Sequence, residues 1–185
     1  MSGQYVGRHR VLFVSHYQDK WKQRNGDLKR FQLLQPRGER SLPNETLTLA
    51  ESLKTVGYAT AMFGKWHLGD EEAYLPGSRG FDEVLIHGAG GIGQLKHGDF
   101  PPNSKKTYFD NVLLHNDTIV KTKGFCTDGF FQAGLAWIKK QHEAKKPYFA
   151  YIALNAPHGP MIAPEQYKKR FLDAGYDERA AGRYG

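Results

Sequence analysis

One pattern occurs twice in this chain and limits its fold more than any other feature. It is an amphipathic helix, a stop, a short apolar strand and then a glycine- or proline-bounded loop carrying a histidine. In the first copy Thr48 precedes Glu51 by three residues, the spacing of a capping box. Leu49, Leu53 and Val56 follow at helical intervals and Gly57 stops the helix. Tyr58 to Phe63 reads as a buried strand, ended by Gly64. In the second copy Thr127 or Asp128 can cap a helix with the stripe Phe131, Leu135, Ile138 and His142, closed by Lys145, Lys146 and Pro147. Tyr148 to Leu154 is a continuous apolar run, predicted to be a strand covered on both faces. A further helix is predicted near Pro164–Leu172, with Pro164 suited to its first turn. Shorter β-like pieces fall at Val11–Val14, Val84–Ile86 and Asn111–Leu114. Helices alternating with buried strands predict an α/β fold with a mainly parallel sheet flanked by helices.

Composition narrows the function classes. With 185 residues, 39% apolar and 24% charged, the chain can pack one core, as a single domain or a piece of a larger one. Its apolar runs are far too short to span a bilayer, so no membrane partner is expected. Met1 is followed by Ser2, Gly3 and Gln4 with no apolar run of a signal peptide, and the compartment stays open. A single cysteine, Cys126, rules out an intrachain disulfide and a multi-cysteine zinc site. The net charge is +7, but residues 1–40 hold nine Lys/Arg against three Asp/Glu, six of those seven charges. The sequence therefore divides into a basic segment, 1–40, and a near-neutral body, 41–185. Tyr17, Trp21 and Phe31 interleave with the basic residues without a regular stacking pattern, so a solvated arm is expected and no nucleic-acid partner.

Chemistry is expected in the two loops. Gly64-Lys65-Trp66-His67-Leu68-Gly69 and Asn155-Ala156-Pro157-His158-Gly159-Pro160 each follow a predicted strand. In open α/β sheets ligands bind beyond the carboxyl ends of strands. If the two strands are parallel, Lys65, His67 and His158 converge. One lysine and two histidines suit an oxyanion such as sulfate or phosphate and the protonation of a leaving group. A zinc site on His67 and His158 is opposed by Lys65. Gly88-Ala89-Gly90-Gly91-Ile92-Gly93 matches G-x-G-x-x-G literally. The run Gln94 to Pro102 after it is not helical, so a loop near the site is expected rather than a nucleotide cradle. Cys126 reads as a buried structural thiol. The triplets at Asn44 and Asn116 are short enough to arise by chance.

Longer stretches carry a family resemblance. Leu47 to Lys54, Gly57 to Thr60 and Gly64 to Gly69 together resemble a signature region of the sulfatases, and Arg79 to Glu83, Lys123 to Asp128 and Asn155 to Pro160 resemble further family stretches in the same order. The match covers roughly residues 41–172. It implies an alkaline-phosphatase-like α/β fold and hydrolysis of sulfate esters, with a sulfated small molecule or glycan as partner. It also implies a formylglycine nucleophile and a divalent cation, usually calcium. Lys65 and His67 would bind the sulfate and assist the nucleophile; His158 would contact the sulfate and the leaving-group oxygen. The departures are specific. Residues 1–64 contain no Cys-x-Pro-x-Arg motif, and Cys126-Thr127-Asp128-Gly129-Phe130 lacks both the proline and the arginine. Val11 to Ser15 has the look of the family's first strand, but His16, Tyr17 and Gln18 stand where an acidic pair is expected. The later metal pair would fall beyond Gly185. The resemblance thus implies a partial catalytic domain over 41–185 behind a divergent segment, inactive alone. The alternatives are a non-catalytic anion-binding remnant and a phosphate or phosphonate ester hydrolase of the same superfamily. Oligomeric state is not legible.

Overall fold

A computed structural model describes residues 1–11, 39, 41–88 and 108–185. After one helical turn, α1 (Val6–His9), the described elements are α2 (Leu49–Thr55), β1 (Ala59–Lys65), β2 (Glu83–His87), β3 (Val112–His115), β4 (Thr118–Lys121), α3 (Cys126–Glu143), β5 (Tyr148–Ala153), α4 (Glu165–Asp173) and α5 (Glu178–Tyr184). The strands form one sheet in the order β4-β3-β2-β1-β5. β1 is parallel to both β2 and β5, whereas β3 pairs antiparallel with β2 and with β4. The α/β class holds, and the sheet is mixed: a parallel centre with a hairpin beside it. Asn116 turns that hairpin with a φ of 50°, and its side-chain oxygen accepts from the Val84 amide at 2.8 Å, tying the turn to β2.

Strand alternation sorts the side chains onto two faces. Ala59, Ala61 and Phe63 of β1 and Leu85 of β2 pack against α3, while Met62, Val84 and Ile86 face α2 with Ala50, Trp66 and Phe81. β5 is exposed at Tyr148 and half-buried over the rest, not covered on both faces as its unbroken apolar run suggested. Among the described residues its one strand partner is β1, which leaves its other side uncovered by them.

The cap of α2 is as expected, but the cap of α3 and the buried faces of both helices are not. α2 has the full capping box: Glu51 N donates to Thr48 Oγ1 at 3.1 Å and Thr48 N donates to Glu51 Oε2 at 2.7 Å. Yet Ala50 is its buried residue, and Leu49 and Val56 are exposed. On α3 the buried positions are Cys126, Phe130, Gly134 and Trp137, one register away from the expected stripe. Phe131 is 43% and Leu135 59% exposed. Neither Thr127 nor Asp128 caps α3; Phe125 precedes it and makes no side-chain cap. Pro164 sits immediately before α4 rather than inside it. The run Val11–Val14, apart from Val11, and the glycine motif beyond Gly88 lie outside the described residues, as do His16, Tyr17 and Gln18.

One polar clasp fixes the α2 side. Arg79 is almost wholly buried, and its Nε donates to Glu51 Oε1 at 3.1 Å while Nη1 donates to Leu42 O at 2.9 Å and Nη2 to Thr46 O. A buried guanidinium is tolerable only when paired and hydrogen-bonded in this way. Glu51 is held below the usual carboxylate range: burial opposes this, but hydrogen bonds from Thr48 and Arg79 and the Arg79 charge outweigh it.

Candidate functional site

Lys65 is the last residue of β1, which runs through Gly64 instead of ending there. Gly64 has a φ of 112°, and a Cβ at that position would overlap the Ala153 carbonyl oxygen of β5. The close approach brings the ends of β1 and β5 together. Burial lowers the pKa of Lys65, and none of the ion pairs among the described residues involves it.

His67 follows in a left-handed conformation, φ 65°. That is uncommon for a non-glycine residue and survives only where the surroundings over-determine it. Here both neighbours are pinned. The Trp66 indole N–H donates to Tyr74 O at 2.8 Å, and Leu68 O accepts from Leu42 N at 2.8 Å. The His67 pKa is lowered, first by burial and then by the positive charges of Lys65 and His158. Its Nε2 is buried without a hydrogen-bond partner.

His158 arrives from the loop after β5. Its amide donates to Asn155 O at 2.9 Å, and the Tyr108 hydroxyl donates to its carbonyl at 2.7 Å. The imidazole Nδ1 lies 2.8 Å from Gly159 O, so it carries the hydrogen. The peptides before Pro157 and Pro160 are both cis. The parallel pairing of β1 with β5 thus delivers all three expected residues to one sheet edge, near enough for their charges to act on His67.

Sequence reasoning missed His87, which ends β2. It is paired in register with Lys65 and almost fully buried. Its pKa falls to about 4, chiefly from burial, with Lys65 and His67 adding to the decrease and interactions with Gly88 and Asn155 opposing it. The Asn155 carboxamide acts on this ring, yet neither Asn155 Nδ2 nor His87 Nε2 closes a hydrogen bond. A signal was present in the sequence: a histidine ending the apolar run Val84-Leu85-Ile86, at the carboxyl end of a strand.

The donor set, one lysine and the ring nitrogens of His67 and His158, suits an oxyanion. Among the described residues no group of three or more His, Cys, Asp or Glu side chains could hold a metal ion, so these residues do not fit the calcium implied by the resemblance. Nor does Cys126 fit a nucleophile. It is buried in the core with Phe125 and Phe130, and burial pushes its thiol up to about 11. No helix among the described residues is long and apolar enough to cross a membrane.

A mixed sheet between helices is the architecture that the chain shares with solved sulfatases of the alkaline-phosphatase-like α/β fold. The family model described as Sulfatase matches residues 2–183, and the chain belongs to the sulfatase family. It is 30% identical over 144 residues to an arylsulfatase of Klebsiella aerogenes, covering 76% of this chain and 31% of that protein. It is 28% identical over 157 residues to the N-acetylgalactosamine-6-sulfatase of Rattus norvegicus, covering 78% and 27% respectively. Among solved structures it resembles Ps i-CgsB in complex with k-i-k-neocarrahexaose, with a TM-score of 0.63, 25% identity, and coverage of 77% of this chain and 34% of that one. The chain spans less than a third of the length of these two sequence relatives.

Proposed function

We propose that Lys65, His67 and His158 form the sulfate-binding part of a sulfate ester hydrolase site, and that the 185-residue chain alone binds the anion without turning it over. The observation that carries the reading is the convergence of these three donors at the carboxyl ends of two parallel strands, where the charges acting on His67 are both positive. Lys65 supplies a point charge, and among the described residues no carboxylate pairs with it. His67 and His158 offer ring nitrogens for sulfate oxygens and for a proton at the leaving-group oxygen. Sulfated glycans are the substrate class, supported by the names of the rat relative and of the oligosaccharide bound to the structural one. Turnover needs a nucleophile to divide the reaction into manageable steps. The chain's one cysteine is sequestered in its core.

Titration of isotopically labelled protein with sulfate tests the pocket. Saturable shifts at Lys65, His67 and His158 are expected, lost in Lys65→Met. Absence of any saturable binding would refute the pocket. Aryl sulfate hydrolysis that survives purification and vanishes in Lys65→Ala would refute the claim of inactivity.

A further inference from the structure

The sulfate site leaves one buried group unused. His87 is 1% exposed and continues the apolar series Val84, Leu85, Ile86. Its Nδ1 lies 3.0 Å from Gly88 O. A carbonyl only accepts, so Nδ1 carries the hydrogen; in the neutral ring Nε2 is then a bare lone pair. Among the described residues that lone pair is buried and closes no hydrogen bond, although the Asn155 side chain lies near enough to act on the ring. An unpaired buried acceptor costs free energy that an apolar side chain in the same place would not.

Lys65 is the charged donor beside this ring. Lys65 and His87 are direct partners in the parallel pairing of β1 and β2, so their side chains rise side by side from one face. Asn155, beyond β5 on the far side of β1, reaches the same ring, and its Nδ2 is likewise buried without a partner. His87 and Asn155 therefore close over the end of β1, where Lys65 emerges.

We propose that His87 is a positioning residue of the sulfate pocket, its Nε2 accepting a hydrogen bond from the Lys65 ammonium when the anion binds. The inference rests on the pocket reading above. A lysine ammonium has three hydrogens on a flexible stem. One given to His87 fixes the head and leaves two for sulfate oxygens. A neutral acceptor does this without cancelling the positive field that draws the anion; a carboxylate in its place would cancel it.

Sulfate titrations of the whole chain and two variants provide the test. His87→Leu, which fits the apolar strand, should bind sulfate roughly tenfold more weakly while retaining its melting temperature. His87→Gln places an amide oxygen near the former Nε2 and should recover most of the affinity. In long-range proton–nitrogen spectra, sulfate should move the His87 Nε2 resonance of the wild-type chain and leave it unmoved in Lys65→Met. Wild-type affinity in His87→Leu, or an Nε2 resonance indifferent to sulfate, would overturn the proposal. If His87→Leu fails to fold, the resonance decides alone. Loss of binding in Lys65→Met with none in His87→Leu would sink this inference and spare the pocket. A wild-type chain that binds no sulfate would sink both.

Discussion

Two backbone positions, Gly64 and His67, decide where the side chains of the candidate site stand. Gly64 is required by contact, because any Cβ there meets the Ala153 carbonyl, and by conformation, because its φ is 112°. Gly64→Ala should cost more than about 3 kcal/mol, since neither strand can yield without breaking the β1–β5 ladder. Urea denaturation would read the loss, and a change below 1 kcal/mol would contradict the close approach. His67 is different: its left-handed φ is strained but not sterically sealed. Asparagine tolerates that region better than histidine. His67→Asn should therefore hold or raise stability, by up to about 1 kcal/mol, while sulfate binding weakens. Parallel melts and titrations would separate the two effects. A variant that loses stability and keeps its affinity would show that His67 is structural.

At the scale of elements, small residues set the contacts that periodicity misread. α3 packs tightly on the sheet at Gly134, where a Cβ would come to 3.0 Å from Ile152 Cδ1 and 3.4 Å from Phe63 Cδ2. A stripe search weighs large apolar residues, so Phe131 and Leu135 outscored the true face built from Cys126, Phe130, Gly134 and Trp137. The same happened at α2, where Gly80 lies against the helix backbone at Ala50 and Glu51 while Leu49 and Val56 are exposed. Element existence was legible because caps and stops are local. The facing was not, because it depends on which surface a partner can approach. Phe130→Ala should then cost about 3–5 kcal/mol and its neighbour Phe131→Ala less than about 1 kcal/mol. Equal costs in denaturant melts would restore the original stripe. The Arg79 clasp belongs to this scale too, joining α2 to the segment 42–46. Arg79→Met should cost about 3 kcal/mol or more through Glu51 and the two freed carbonyls, measured in the same melts.

For the whole molecule, the candidate site was legible where it depended on strand direction and illegible where it depended on register. Parallel β1 and β5 could be argued from the repeated helix–strand unit, and that was enough to bring Lys65, His67 and His158 to one edge. His87 needed the pairing of β1 with β2, two strands joined by short 3-10 turns (Glu72–Tyr74 and Pro76–Arg79) without the amphipathic α-helix that would have announced a parallel neighbour. That buried imidazole also gives the protein a defined response to acid. Its pKa is about 4 in the folded state against about 6.5 when unfolded. Between those values the unfolded chain binds the proton and the folded chain does not, so stability falls as pH falls from about 6.5 to 4. The gap corresponds to about 3 kcal/mol for this one group. His67, also shifted downward, adds loss of the same sign. The carboxylates of Glu51 and Asp82 are held low by their partners, so their stabilisation is lost only at still lower pH. His87→Gln removes the largest early contribution. Urea midpoints followed from pH 7.5 to 4 should fall steeply in the wild-type chain and less so in His87→Gln, the curves separating below about pH 6.5. Curves that stay parallel over that range would mean that His87 takes up its proton without opposing the fold, and the buried, neutral imidazole would be wrong.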